Sequence, residues 1–170
     1  CARHDGREEP IWETIRNARP DLLLLIGDNI YGDTDDMEVM RSKYDVFAAQ
    51  PGFALLRTEV PILATWDDHD YGLNDGGAEF TKKEESKAVF LNFFEEPLDS
   101  PRRTHPGVYT SAIVGAPGQQ IQFILLDTRT FRSPLSRKWF YFATWFRTGG
   151  KYRPSRDPAQ TILGDAQWAW

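Results

Sequence analysis

The stretch Asp21-Leu22-Leu23-Leu24-Leu25-Ile26-Gly27-Asp28-Asn29 is the most continuously apolar in the chain, and its reading decides the fold. A short unbroken aliphatic run that ends in Gly-Asp predicts a strand covered on both faces, the kind found in parallel sheets. A second run of this kind, Pro61-Ile62-Leu63-Ala64-Thr65-Trp66-Asp67-Asp68-His69-Asp70, passes directly from apolar to acidic residues. Between the two, Met37, Met40, Tyr44 and Phe47 recur every three or four positions and predict a helix over 36–49. Pro51 then suits the first turn of a second helix reaching Leu56. Upstream, Ile11, Trp12 and Ile15 have helical spacing over 9–18, and Pro20 stops the run. Downstream come a Gly- and Asn-rich loop over 72–78 and a helix over 79–94 carrying Phe80, Phe90, Phe93 and Phe94. Two strands over 107–114 and 120–128 read as a hairpin across Gly115-Ala116-Pro117-Gly118. This succession of strands and helices defines an α/β chain.

At 170 residues the chain has room for one domain, 1–170, and hardly two. Hydrophobic residues make up 41% and charged residues 26%, a globular balance. The net charge of -5 argues against a whole-domain nucleic-acid footprint. One Cys, at position 1, excludes an internal disulfide framework. No apolar run approaches the roughly 18 residues of a membrane helix. Charge is unevenly spread, because 129–156 holds eight Lys or Arg and no acid. That segment also carries Trp139, Phe140, Tyr141, Phe142, Trp145 and Phe146. It reads as a solvated face with its aromatics packed inward, or as a lid attracting phosphorylated substrates. The chain starts without Met, and an apolar helical pattern begun at Gly164-Asp165-Ala166-Gln167-Trp168 reaches its last residue. Both features are expected of a segment of a longer protein, with a lipid-modified Cys1 as the alternative.

Chemistry concentrates where the two apolar strands end. Asp28, with Asp33, Asp35 and Asp36, follows the first, and Asp67-Asp68-His69-Asp70, with Asp75, follows the second. Ligands of open α/β sheets bind beyond the C-terminal strand ends, so both clusters are expected to face one crevice. Like charges brought that close repel, and a cation is the usual remedy. Carboxylates suit hard cations, while imidazole, phenolate and thiolate ligands admit transition metals. Cys1, Asp28, Tyr31 and Asp68 together form a mixed set suited to iron. Asp33, Asp35 and Asp36 are read as a solvated loop and a helix N-terminus, with calcium binding as the alternative. Asn74 and Asp75 are read as turn residues and second-rank candidates for the pocket, and Asp127 as a residue that orders Arg129 or a nearby loop. His4 and His105 are read as surface residues.

Gly27-Asp28-Asn29-Ile30-Tyr31, Trp66-Asp67-Asp68-His69-Asp70 and Leu126-Asp127-Thr128-Arg129 resemble the PhoD-like branch of the metallophosphoesterases. Pro51-Gly52-Phe53, Ser100-Pro101-Arg102-Arg103, Gly107-Val108-Tyr109 and Gly164-Asp165-Ala166-Gln167-Trp168 add to the likeness, which spans nearly the whole chain. The resemblance implies part of a four-layer αββα sandwich and metal-dependent hydrolysis of phosphomonoesters or phosphodiesters in a secreted or periplasmic setting. It implies Fe3+ together with a divalent cation, Ca2+ first and Zn2+ or Mn2+ as alternatives. Asp28 resembles the metal-bridging aspartate, Tyr31 the phenolate ligand and Cys1 the thiolate ligand. Asp68 stands where most metallophosphoesterases have a ligating Asn, and His69 where they have the histidine facing the scissile phosphate. Arg129 is expected to bind a phosphoryl oxygen. The family's later His-bearing motifs have no counterpart here, since no His follows His105. One complete metal site and half of another are therefore expected. The implied partner is a small phosphorylated substrate, with no nucleic acid. A phospholipase or phosphodiesterase of the same family, or a non-catalytic calcium-binding module, are the competing readings.

Overall fold

A computed structural model describes residues 10–137 and 151–170; Cys1, His4 and the aromatics from Trp139 to Phe146 lie outside them. Helix α1 (Ile11–Asn17) leads to strand β1 (Leu23–Ile26), then to helices α2 (Met37–Ala48) and α3 (Pro51–Glu59), and then to strand β2 (Ile62–Thr65). The two strands pair in parallel, Leu23 opposite Ile62 and Ile26 opposite Thr65. A parallel pair needs a crossover, which α2 and α3 supply. Asp36 caps α2 by accepting the Glu38 and Val39 N–H groups at 2.8 and 3.3 Å. Pro51 occupies the first turn of α3, where its missing N–H is not needed.

Most residues of the expected helical stripes form the core, while Ile11 of α1 is 49% exposed. Met40, Tyr44 and Phe47 of α2 are buried with Phe53 and Leu56 of α3 and Trp12 of α1. Phe47 stacks on Phe53 at a centroid distance of 3.9 Å, and Trp12 closes over both at 5.5 and 5.0 Å. Tyr44 of α2 meets Phe93 of helix α5 (Lys83–Phe93) at 4.4 Å, and Phe47 stacks on the same ring at 5.6 Å. Further along, strands β3 (Thr110–Val114) and β4 (Ile121–Leu125) form the expected antiparallel hairpin, and helix α6 (Gly164–Ala169) closes the described chain. The architecture is mixed α/β, with two two-stranded sheets among the described residues. None of the described helices is long and apolar enough to cross a membrane.

Three expectations need correction. Strand β1 is covered on one face only: Leu23 and Leu25 pack on the core, whereas Leu24 is 38% and Ile26 76% exposed. The second apolar run leaves the sheet at Thr65, and residues Asp68–Tyr71 turn into a short helix, α4. This turn forms because the Asp70 carboxylate accepts the Asp67 N–H at 2.6 Å, a side-chain bond that competes with ladder pairing. Helix α5 begins at Lys83 rather than at residue 79. The preceding backbone is committed elsewhere, because Tyr71 Oη donates to the Gly77 carbonyl at 2.9 Å and the Ala78 N–H to the Arg132 carbonyl at 2.9 Å.

Candidate metal and phosphate site

The site is built where β1 and β2 end side by side. Gly27 turns the chain with φ +112, and Asp28 follows at φ +51. A Cβ on Gly27 would lie 2.6 Å from Asp67 Cβ and 2.9 Å from Asp67 N, so the two turns touch at a point that only glycine permits. Asn29, next in sequence, is buried. Its Nδ2 donates to the Thr65 carbonyl at 2.9 Å and to Asp70 Oδ2 at 2.5 Å, and its N–H donates to the same Oδ2 at 3.1 Å. Fully buried Asp70 therefore holds one turn through Oδ2 and the other through Oδ1. Burial pushes its carboxyl up to about 7, against the pull of the N–H donors.

This double turn places one ligand atom each of Asp28, Asp68 and His69 within 4.8 Å of one another. Asp68 is oriented by the loop after α4: its Oδ2 accepts the Asp75 N–H at 2.6 Å and Asn74 Nδ2 at 3.2 Å. Asn74 and Asp75 are thus turn residues, as expected, and the turn aims a candidate ligand. His69 Nδ1 lies 2.7 Å from Asp33 Oδ1. An ionised carboxylate only accepts, so Asp33 sets the proton on Nδ1 and leaves Nε2 as the free ring position. Burial works against charge on this imidazole, but the bond to Asp33 and the fields of Asp33, Asp68 and Asp28 raise its pKa above the ordinary value. Backbone bonds pin the Asp33 loop to α4, with the Gly32 and Asp33 N–H groups on the His69 carbonyl at 3.0 and 3.3 Å. Tyr31 lies in this loop, and its ring packs on His69 at 4.1 Å.

Arg129 arrives from the other sheet. Its guanidinium pairs with Asp67 through Nε and Nη2, and Nη2 lies 3.7 Å from Asp68 Oδ1. Asp127 shapes the turn that carries it, accepting the Arg129 and Thr130 N–H groups, both at 2.9 Å. The expected ordering role of Asp127 is thus visible in its hydrogen bonds. Two contacts join the sheets beneath the site. Thr65 Oγ1 donates to the Leu126 carbonyl at 2.9 Å, and buried Arg102 donates to the Ala64 and Val108 carbonyls at 2.5 and 2.6 Å.

A cavity of about 410 Å³ opens beside the Asn74–Asp75 turn, lined by Phe80, Leu135, Arg137 and Tyr152 among others. Tyr152 Oη donates to Asp75 Oδ2 at 2.7 Å, and Lys151 pairs with the same oxygen. The trailing end of the basic segment therefore rests on the loop that orients Asp68.

Of the residues selected from sequence, Asp28, Tyr31, Asp68, His69 and Arg129 come together, and Cys1 lies outside the described residues. Asp33 lies in an exposed loop, as expected, and it also holds His69. Asn29 and Asp70 carry no sequence signal beyond their place inside the two acidic motifs. The donor chemistry suits a cation: two carboxylates provide hard oxygens, and an imidazole admits a transition metal.

The family model of the PhoD-like phosphatases matches residues 1–170, and the chain belongs to that family. A solved structure of PhoD is similar in fold to the whole of this chain, with a TM-score of 0.69 at 18% sequence identity. The chain spans 36% of that solved chain. No curated protein matches it in sequence.

Proposed function

We propose that this chain is the part of a metal-dependent phosphoester hydrolase that supplies one metal site and a phosphate-binding arginine. The observation that carries this reading is the convergence of Asp28, Asp68 and His69 within 4.8 Å, with Arg129 reaching Asp68 of that cluster from the second sheet. Asp28 and Asp68 would hold the ion, with Tyr31 and Cys1 as further ligands. Fe3+ with a divalent partner, Ca2+ before Zn2+ or Mn2+, is the proposed metal content. When bound, the metal supplies Lewis-acid activation of the attacking water.

The chain's own groups have separable tasks. Asp33 keeps a proton on His69 Nδ1 and favours the imidazolium, so Nε2 can hand a proton to the departing alkoxide. Arg129 offers a planar fork of N–H donors suited to a phosphoryl oxygen, and Asp67 holds that fork at the site until substrate arrives. The surrounding four-layer sandwich belongs to the same proposal, and its further layers would cover the open face of Leu24 and Ile26. So do the single-domain assignment, a small phosphorylated substrate and a secreted or periplasmic setting.

The test is metal content per chain, followed by hydrolysis of p-nitrophenyl phosphate and bis(p-nitrophenyl) phosphate. Stoichiometric iron and turnover that Asp28→Asn and His69→Ala each abolish, with unchanged circular dichroism, are the expected results. Full turnover in either variant refutes the assignment. Calcium as the sole metal, with neither ester hydrolysed, would transfer the chain to the binding-module reading.

A further inference from the structure

We propose that Gln167 is a positioning residue for Arg129, acting through Asp127; this rests on the phosphoester reading above. Gln167 lies on α6, forty residues from Asp127, and is buried. Its carboxamide grips both backbone groups of that one residue: Nε2 donates to the Asp127 carbonyl at 2.7 Å, and Oε1 accepts the Asp127 N–H at 2.9 Å. Nε2 also donates to the Leu163 carbonyl at 3.0 Å, which fixes the amide to its own helix.

Each polar group of Asp127 is then engaged. Oδ1 takes the Arg129 and Thr130 N–H groups, and Oδ2 takes the Val108 N–H at 2.9 Å and Thr130 Oγ1 at 2.6 Å. Gly107 lies so near that a Cβ there would sit 2.5 Å from Asp127 Oδ2. With backbone and carboxylate both held, the turn from Asp127 to Thr130 has little freedom, and the direction in which Arg129 leaves it is set. The start of α6 packs on the same turn, since a Cβ on Gly164 would lie 2.8 Å from Phe131 Cβ. A side-chain amide offers a donor and an acceptor side by side, whereas an ionised carboxylate only accepts and an aliphatic chain does neither, so ionised Glu and Leu do not reproduce the grip.

Displacement of a phosphate-binding group by about 1 Å lowers turnover up to about 100-fold, even when its cause lies far from the chemistry. Gln167→Ala is therefore expected to reduce kcat/KM by about 10- to 100-fold and to weaken inhibition by inorganic phosphate in parallel. Gln167→Glu keeps the acceptor but sets a second oxygen against the Asp127 and Leu163 carbonyls, and is expected to lower kcat/KM and phosphate inhibition as well. Trp168→Ala, on the exposed side of the same helix, should leave both constants unchanged. The 15N resonance of Arg129 Nε should shift in Gln167→Ala and Gln167→Glu, and stay in place in Trp168→Ala. A lowered Tm with unchanged kcat, KM and phosphate inhibition in Gln167→Ala would make the grip merely structural and overturn the proposal. If Gln167→Ala fails to fold, Gln167→Glu with wild-type constants overturns it equally. Absence of turnover in the wild type would count against the phosphoester reading alone. The Arg129 resonance would then decide the positioning claim, and an unmoved signal would refute it.

Discussion

Replacing Gly27 with Ala strikes the point where the two halves of the site touch. The new Cβ would lie 2.6 Å from Asp67 Cβ, 2.9 Å from Asp67 N and 3.1 Å from the Trp66 carbonyl carbon. Two of these three atoms are backbone of the neighbouring strand exit, which has no rotamer to change. An L side chain at φ +112 adds strain of about 1–3 kcal/mol. Overpacking against atoms that cannot withdraw adds about 1–3 kcal/mol more. The sum, about 2–6 kcal/mol, is a large part of the roughly 5–15 kcal/mol that holds a domain together. Any relief must come from separating the turns, which stretches the bonds from Asn29 to Thr65 and Asp70 and moves Asp28 away from Asp68. Gly118→Ala is the matched control: this glycine also has positive φ, +86, but a Cβ there meets nothing within 4 Å. Guanidinium unfolding of both variants separates strain from collision. Gly27→Ala should lose at least about 1 kcal/mol more than Gly118→Ala and should also lose bound metal. Equal losses in the two variants, with wild-type metal content in Gly27→Ala, would refute the idea that close approach of the turns builds the site.

Asp33→Asn should lower the pKa of His69, followed by NMR titration of the imidazole in metal-free protein. A folded-state pKa raised above the unfolded value stabilises below the unfolded pKa, and the gain is lost as pH rises through the folded pKa. Wild type should therefore exceed Asp33→Asn in stability at pH 5, with the difference shrinking above neutrality; a pH-independent difference would show that the pair is not ionic. Asp70 works in the opposite sense. Its carboxyl, raised from 3.8 to about 7, retains a proton in the fold that the unfolded chain has released, so stability should fall as pH rises through that window. Asp70→Asn should be less stable than wild type at pH 5, because an amide group replaces an oxygen that accepts an N–H. It should also lack the wild-type slope, and the same slope in both proteins would sink the argument.

Much of this molecule can be read locally. The periodicity of Met37, Met40, Tyr44 and Phe47, the Pro51 helix start, the Gly115–Gly118 hairpin and the two strands running into acids all depend on neighbours in sequence. The chemical character of the site is legible for the same reason, since Asp28, Tyr31, Asp68 and His69 stand together in two short motifs. Tertiary structure alone decides who holds whom. Asp33 is an exposed loop residue in sequence and structure alike, and only the fold lays it against His69, 36 residues away. Asn29 and Asp70 become a bridge only once two strand exits lie side by side, and Gln167 gains meaning only when α6 reaches the Asp127 turn. The faces of β1 belong here too, because an apolar run states that its residues favour burial and is silent on which side a partner stands. Helices and the apolar pattern of a strand follow from residues a few positions apart, whereas the pairing of β1 with β2 joins Leu23 to Ile62. Hydrogen-bond partners and buried faces depend on contacts across tens of residues, and those exist only after the chain has closed on itself.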